Sequence, residues 1–433
     1  MPRFADLNVH AFAGALVIVD VDGTITHDAA HRIDSDAQAK LLELARVSEV
    51  YLCSNGPDVA RTRAIAQSLP GIRYLDSIHK KPDVRVVENL ANREGKRLVV
   101  VGDKYITDGR FAQNIGAEFI QVARMRGTPE RTIVFVIYLF EDTFTVIRNA
   151  YTKLRAVVSL MRTRQWIKNA LVFAPLFFAQ EALSVTRVES AAEAAAIFCL
   201  TASTVYIMND LLDLEADRAH PIKRMRPIAS GMISIPSAWT LCIVLGVFTI
   251  ALTASFPAII PAIVGYVGLN ILYSRFLKHV AILDILCVAS FYLLRILAGG
   301  EATATRISPW IILCVFFGAL FLIIGKRRAE MAHASRRKVI EAYSPLALDY
   351  LLAGSAFLAV ISYSIYSVIG SRSDLAVYST IFVVCAMFRL LNRMYTSQNG
   401  EAEFPESLLF KDPWAFGSFI AWAVYMFGIL YLA

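Results

Sequence analysis

The sequence predicts two physically different parts in one chain, an N-terminal α/β unit on a parallel sheet and a C-terminal all-α unit that crosses a membrane nine times. Three observations predict this. Of 433 residues, 56% are hydrophobic, above the roughly 45–50% usual for soluble domains. Charge is unevenly spread: residues 1–155 hold 21 Lys+Arg and 19 Asp+Glu, while the longer stretch 156–433 holds only 22 and 17. From about residue 165 onward, apolar runs recur with short polar breaks, each close to the roughly 20 residues that a helix needs to span hydrocarbon.

In the first part, four short apolar runs (15–19, 50–53, 97–101 and 118–122) alternate with polar helical stretches, the pattern of a parallel α/β sheet. Polar residues follow the strand ends, where such sheets bind ligands: Asp20, Asp22 and Thr24, then Ser54 and Asn55, then Asp103 and Asp108. Lys81 precedes Pro82 between them. A carboxylate nucleophile, a second acid two residues on, a hydroxyl, a lysine and later acids are what phosphoryl transfer requires. The opening MPRFADLNVHAFAG has no signal-peptide apolar core, so this part is expected to stay in the cytoplasm. Six cysteines without CxxC spacing give no disulfide framework and no zinc site.

Residues 126–160 read as a membrane-surface linker between a domain at 1–125 and another at 161–433. The apolar run 133–140 is too short to span, and Arg148, Lys153 and Arg155 follow it. Nine spans are then expected, near 165–181, 190–208, 237–255, 257–274, 283–300, 308–325, 346–369, 375–391 and 414–432. With the N-terminal part inside, the inward-facing loops carry 14 Lys+Arg and the outward ones only Arg187, Arg306 and Arg372. This asymmetry places the protein in the cytoplasmic (inner) membrane with its clefts facing the cytoplasm. The pI near 9 then records orientation, and no nucleic-acid partner is expected.

Polar groups are expensive in hydrocarbon and usually face a protein interior or cavity. After the second span come Asn209, Asp210, Asp213 and Asp217. Asn209, Asp213 and Asp217 are spaced i, i+4, i+8 and would share a helix face, where one or two carboxylates suit Mg²⁺ with substrate phosphates. A single carboxylate would read as a solvated helix end. Here basic residues including Arg226 follow at once. Other span ends repeat the theme: Arg164, Gln165, Lys168 and Asn169 at the first, Tyr273 and Lys278 at the fourth, Asp284 and Arg295 on one face of the fifth, and Lys326, Arg327 and Glu330 at the sixth. Each alone could snorkel. Together they suggest a cleft for a multiply charged phosphate ester.

The stretch NDLLDLEADRAHPIKRMRPIASG resembles the N-D-x-x-D-x-x-x-D signature of the UbiA-like membrane prenyltransferase superfamily, whose members have nine transmembrane helices. RTRQWIKNALVFAPLFFA, YSRFLKHVAILDILCVASFYLLRILAGG, GKRRAEM and GEAEFPESLLFKD are similar to its decaprenyl-phosphate phosphoribosyltransferase branch. That resemblance implies Mg²⁺-dependent transfer of 5-phosphoribose from phosphoribosyl diphosphate to a polyprenyl phosphate, with release of pyrophosphate. Asp213 and Asp217 would be catalytic. One departure from ordinary prenyltransferases stands out: the second D-x-x-x-D is incomplete, since Val288 follows Asp284 four residues on.

The D-x-D-G-T, S-N, K-P and G-D-x-x-x-T-D series at the N-terminus resembles the haloacid dehalogenase superfamily of phosphatases, which have a Rossmann-like fold. It implies Asp20 as nucleophile, Asp22 as acid/base, Ser54, Asn55 and Lys81 as phosphate binders, and Asp20, Asp22, Asp103 and Asp108 around Mg²⁺. Only about 26 residues separate Thr24 from Tyr51, which leaves little room for a cap and suggests an open site. The expected whole is a bifunctional enzyme that makes a phosphoribosyl lipid and then removes its 5-phosphate, with a homo-oligomer as a candidate assembly. The alternative is a prenyltransferase using polyprenyl diphosphate and another acceptor, with a scaffold or unrelated phosphatase domain.

Overall fold

The computed structural model describes the chain except residues 28–29, 31, 89, 91–94, 126–131, 332–337, 372, 397–404 and 433. Arg372 and the start of the 400–412 stretch therefore lie outside the described residues. The chain forms two compact units, Met1–Thr152 and Lys153–Ala433.

In the first unit, β1 (Leu16–Asp20), β2 (Glu49–Cys53), β3 (Ile72–Tyr74), β4 (Leu98–Gly102) and β5 (Glu118–Gln121) form one parallel sheet in the order β3-β2-β1-β4-β5. Helices α1 (Ser35–Val47), α2 (Val59–Gln67) and α3 (Arg110–Asn114) run between the strands. Asp34 and Asp58 start the first two of these helices by accepting hydrogen bonds from first-turn amides. Central β1 is buried along its whole length because both faces of a parallel sheet are covered. Val17 and Val19 pack with Leu41, Leu44 and Val50, whereas Leu16 and Ile18 pack with Val100 and Phe111. The strand order reverses between β1 and β4, the switch point where open sheets bind ligands. β3 was not among the expected strands. It has three residues and an exposed Arg73 at its centre, too little pattern for a period of two.

The expected linker contains one long helix, α4 (Thr132–Leu160). In the first unit Glu141 accepts a hydrogen bond from the Ile106 amide at 2.9 Å, and in the second Ala156 and Leu160 bury beside Ile207 and Leu211. Val136, Phe140, Ile147, Tyr151, Leu154 and Val158 are exposed, a stripe at spacings of three, four and seven.

The second unit is helical. In place of the expected first span, a 3₁₀ helix at Thr163–Phe173 leads into α5 (Ala174–Phe178). The segment enters through Arg162 in the left-handed region (φ 52°), and its 3₁₀ turns and the five-residue α5 take the place of one continuous α-helix. Then follow α6 (Val185–Leu212), α7 (Leu214–Ala219), α8 (Ile235–Ser255), α9 (Ile260–Arg275), α10 (Leu283–Thr303), α11 (Pro309–Glu330), α12 (Pro345–Ile365), α13 (Thr380–Thr396), α14 (Pro405–Lys411) and α15 (Pro413–Phe427). Among the described residues eight helices are long and apolar enough to cross a membrane, one fewer than the nine expected. Their burial separates centre from rim. The apolar windows of α6 and α10 are 56% and 50% buried, those of α8, α13 and α15 only 17%. Of the residues singled out in the sequence, the central pair carries Asn209, Asp210, Asp284 and Arg295.

Candidate active sites

In the first unit, the carboxyl ends of adjacent strands β1, β2 and β4 deliver Asp20, Ser54 and Asp103 to one place. Asn55 fixes Lys81 through a reciprocal pair: its side-chain amide donates to the Lys81 carbonyl and accepts from the Lys81 amide, both at 2.8 Å. The buried Lys81 Nζ then bridges Asp20 and Asp108, at 2.5 Å from each. Burial opposes a charge on Lys81, but Asp108 and Asp20 hold its pKa above the ordinary lysine value. Gly102 is required here, since any side chain at that position would collide with Asp108.

Carboxylate oxygens of Asp20, Asp103 and Asp108 lie within 4.8 Å of one another. Burial pushes Asp103 up to about 6, and burial with the nearby Asp20 pushes Asp108 up to about 7. Asp103 Oδ1 accepts from Thr24 at 3.3 Å and Lys104 at 3.1 Å, while its Oδ2 is buried without a hydrogen-bond partner. An orphaned oxygen among three clustered acids fits a hard divalent cation. Asp22, expected with these ligands, stands outside the cluster: Ser54 Oγ donates to it at 2.8 Å and Arg61 pairs with it. Arg61 and Lys104 were not singled out in the sequence, and each acts across the fold, Arg61 from α2, 39 residues after Asp22.

In the second unit, α6, α9, α10, α11 and the 3₁₀ segment enclose a cavity of about 530 Å³. Of the expected residues, Gln165, Lys168, Asn209, Asp210, Asp213, Arg226, Tyr273, Lys278, Arg295, Lys326 and Arg327 line it. Others do not. Arg164 is exposed outside the lining. Asn169 is buried behind it, with Oδ1 accepting from Arg295 Nε at 2.6 Å. The backbone of this segment can come so close only because Gly299 of α10 faces Val172, where any side chain would meet the carbonyl. Asp284 is fully buried, 2.8 Å from Arg327 and accepting from the Tyr343 hydroxyl at 2.5 Å; Glu330 also pairs with Arg327, at 3.0 Å.

The acidic cluster is divided. Helix α6 ends at Leu212, and Asp213 (φ −92°, ψ 12°) joins it to α7. Asp210 is held by Arg162 at 2.5 Å and Arg226 at 3.0 Å, and Asp217 is buried against Arg226 at 2.6 Å. Asp217 therefore faces an arginine, not the cavity shared by Asn209 and Asp213. Asn209 and Asp213 offer an amide oxygen and a carboxylate four residues apart. That small donor set suits one Mg²⁺ whose remaining ligands are waters and substrate phosphates.

Sequence reasoning missed Tyr206, Tyr266, Asn270, His279 and Tyr292 in the lining. A signal existed: Tyr266, Asn270 and Tyr273 follow i, i+4, i+7 and share one face of α9. The lining as a whole is cationic, with Lys168, Lys223, Lys278, Lys326, Arg162, Arg226, Arg295 and Arg327 against only Asp210 and Asp213.

Comparison with known proteins follows the same division of the chain. Residues 170–411 match the UbiA prenyltransferase family. The chain is 36% identical over 287 residues to a decaprenyl-phosphate phosphoribosyltransferase of Mycolicibacterium smegmatis, covering 61% of this chain and 89% of that one. It is 40% identical over 224 residues to the protein of that name from Mycobacterium tuberculosis, covering 49% and 73%. A UbiA homolog from Archaeoglobus fulgidus, solved with GPP and Mg²⁺, superposes with a TM-score of 0.50 at 19% identity, covering 64% of this chain and 99% of that one. This last likeness is one of fold.

Proposed function

The chain belongs to the UbiA prenyltransferase family, and from that premise we propose that its membrane unit transfers 5-phosphoribose from phosphoribosyl diphosphate to a polyprenyl phosphate. A family enzyme with eight apolar helices of spanning length among its described residues is a multi-pass membrane protein. The choice of donor is supported above all by the charge balance of the cavity, eight Lys and Arg against two Asp in the lining, an excess that survives the pairing of Arg226 and Arg327 with Asp217, Asp284 and Glu330 behind it. A prenyl diphosphate brings phosphate on one substrate only, whereas this pair brings it on both. Phosphate groups of donor and acceptor repel unless cations stand between them. The second acidic position is also spent, since Asp284 is bound by Arg327 and Tyr343.

In the reaction an acceptor phosphate oxygen forms a bond to C1 of the ribose as the C1–O bond to diphosphate breaks, and pyrophosphate leaves with the electron pair. Asn209 and Asp213 would hold Mg²⁺, which neutralises charge on the leaving diphosphate. Lys168, Lys278, Lys326 and Arg226 bind and orient the phosphates. Mass spectrometry of the lipid formed by purified protein tests the reading. A mass gain of one phosphoribosyl group on polyprenyl phosphate is expected, and prenylation of another acceptor from polyprenyl diphosphate would replace the proposal with ordinary prenyl transfer.

For the N-terminal unit we propose phosphomonoester hydrolysis, acting on the 5-phosphate of that lipid product. The Asp20, Asp103 and Asp108 cluster with Lys81 supports it. Asp20 attacks phosphorus, the sugar oxygen leaves and takes a proton from Asp22, and water then hydrolyses the aspartyl phosphate. The exposed stripe of α4 supports a seat at the membrane surface, where such a product is presented.

A further inference from the structure

We infer that Arg295 forms a phosphomonoester subsite in the cavity, separate from the diphosphate end and filled by a terminal phosphate of one substrate. The choice of substrates rests on the phosphoribosyl reading, but the geometry stands apart from it. Four arginines line the cavity. Three are matched within the chain, Arg162 and Arg226 by Asp210 and Arg327 by Asp284 and Glu330. Arg295 is 4% exposed, and among the described residues no carboxylate lies within ion-pair distance of it.

Its partners are neutral. Nε donates to Asn169 Oδ1 and a terminal nitrogen to the Phe291 carbonyl, both at 2.6 Å, and the guanidinium lies 5.1 Å from the Tyr266 ring and 5.8 Å from that of Phe198. Neutral acceptors and aromatic faces orient a buried cation without cancelling its charge. The missing anion must come from the cavity.

Position argues that this anion is not the diphosphate. Ser274 of α9 meets Asn209 at 3.4 Å, which ties that helix to the diphosphate end. Tyr266, beneath Arg295, is eight residues earlier on the same helix, about 12 Å along its axis. A diphosphate does not reach so far, but a second phosphate does, and each substrate carries one: the 5-phosphate of the donor and the monoester of the acceptor. A planar guanidinium fork matches such a group.

The test uses the purified full-length protein, with thermal unfolding followed against ribose 5-phosphate, for the donor source, and farnesyl phosphate, for the acceptor source. Wild type, Arg295→Gln and Arg295→Lys are compared. Stabilisation of wild type by one probe, weakened about 10- to 100-fold in Arg295→Gln, identifies the source. Arg295→Lys keeps the charge and provides the comparison should the glutamine variant unfold; it is expected to bind that same probe several-fold more weakly. Steady-state KM should rise for the matching substrate alone, with kcat nearly constant. Binding of both probes by the variants as in wild type overturns the subsite. Loss of probe binding in the variants, in a protein that forms no phosphoribosyl lipid, upholds the subsite and removes the phosphoribosyl reading.

Discussion

Asp213 and Asp217 show how two residues of one motif part company. The spacing predicts a single metal-facing row, but Asp217 is buried against Arg226 while Asp213 stays in the cavity lining. Asp213→Asn should therefore cost several kcal/mol of transition-state stabilisation, the scale on which removal of a metal-bound charge acts. Asp217→Asn only removes one of the two carboxylates on Arg226, which Asp210 still holds, and should cost about 1–3 kcal/mol. Comparing kcat/KM of the two variants checks this, and an equal loss would restore the single row. Asp284 makes a related point. Its partners Arg327 and Tyr343 lie 43 and 59 residues away, so no local spacing reveals that the acid is neutralised. Asp284→Asn leaves the buried Arg327 guanidinium with Glu330 as its one remaining carboxylate and should destabilise by up to about 3 kcal/mol, whereas Asp284→Leu with Arg327→Met should recover most of that. Thermal unfolding in detergent decides, and a double variant no better than the single one would refute the pairing argument.

At the level of elements, hydrophobic periodicity was legible wherever one rule governed a segment. Strands β1, β2, β4 and β5 fall within a residue of their expected positions because a buried parallel strand is an apolar run with polar ends. The reading failed where length and polarity competed. The first expected span, near 165–181, has the apolar content of a transmembrane helix, yet its first half belongs to the 3₁₀ helix Thr163–Phe173, with Asn169 turned to a buried arginine. Tertiary partners far along the chain decide that, and composition does not contain them. Helix α4 offers a direct test of its proposed seat. A fluorophore on a cysteine at position 147 or 154 should be quenched by brominated lipids in nanodiscs, and one at 149, about 200° round the helix from 147, should not. Equal quenching at 147 and 149 would remove the interfacial seat.

Over the whole molecule, the division into a charged and an apolar part was legible from counts alone, because hydrocarbon excludes charge and a soluble sheet domain does not. What the counts could not carry is whether the proposed chemistries of the two units are linked, since no sequence rule connects a product of one unit to a substrate of another. Asp20→Asn preserves shape and removes the proposed nucleophile. Membranes bearing it should accumulate polyprenyl-phosphoryl 5-phosphoribose where wild type yields the dephosphorylated lipid. The same lipid profile from both would show that the N-terminal unit acts on something else.

The clamp of Arg162 and Arg226 on Asp210 has a thermodynamic consequence. With one of the two acids in its lining already matched, the free cavity presents Mg²⁺ with a net positive field and few open oxygens, whereas a diphosphate competes for the same arginines and brings oxygens of its own. Cation and diphosphate should then bind synergistically, each raising the affinity of the other by the same factor, as linkage demands. Calorimetric titration of an Asp20→Asn, Asp103→Asn protein, with its N-terminal acids disabled, should show no saturable Mg²⁺ uptake at millimolar concentration until pyrophosphate is added. Tight uptake without pyrophosphate would mean that Asp210 is available to the metal and that the arginines hold it only loosely.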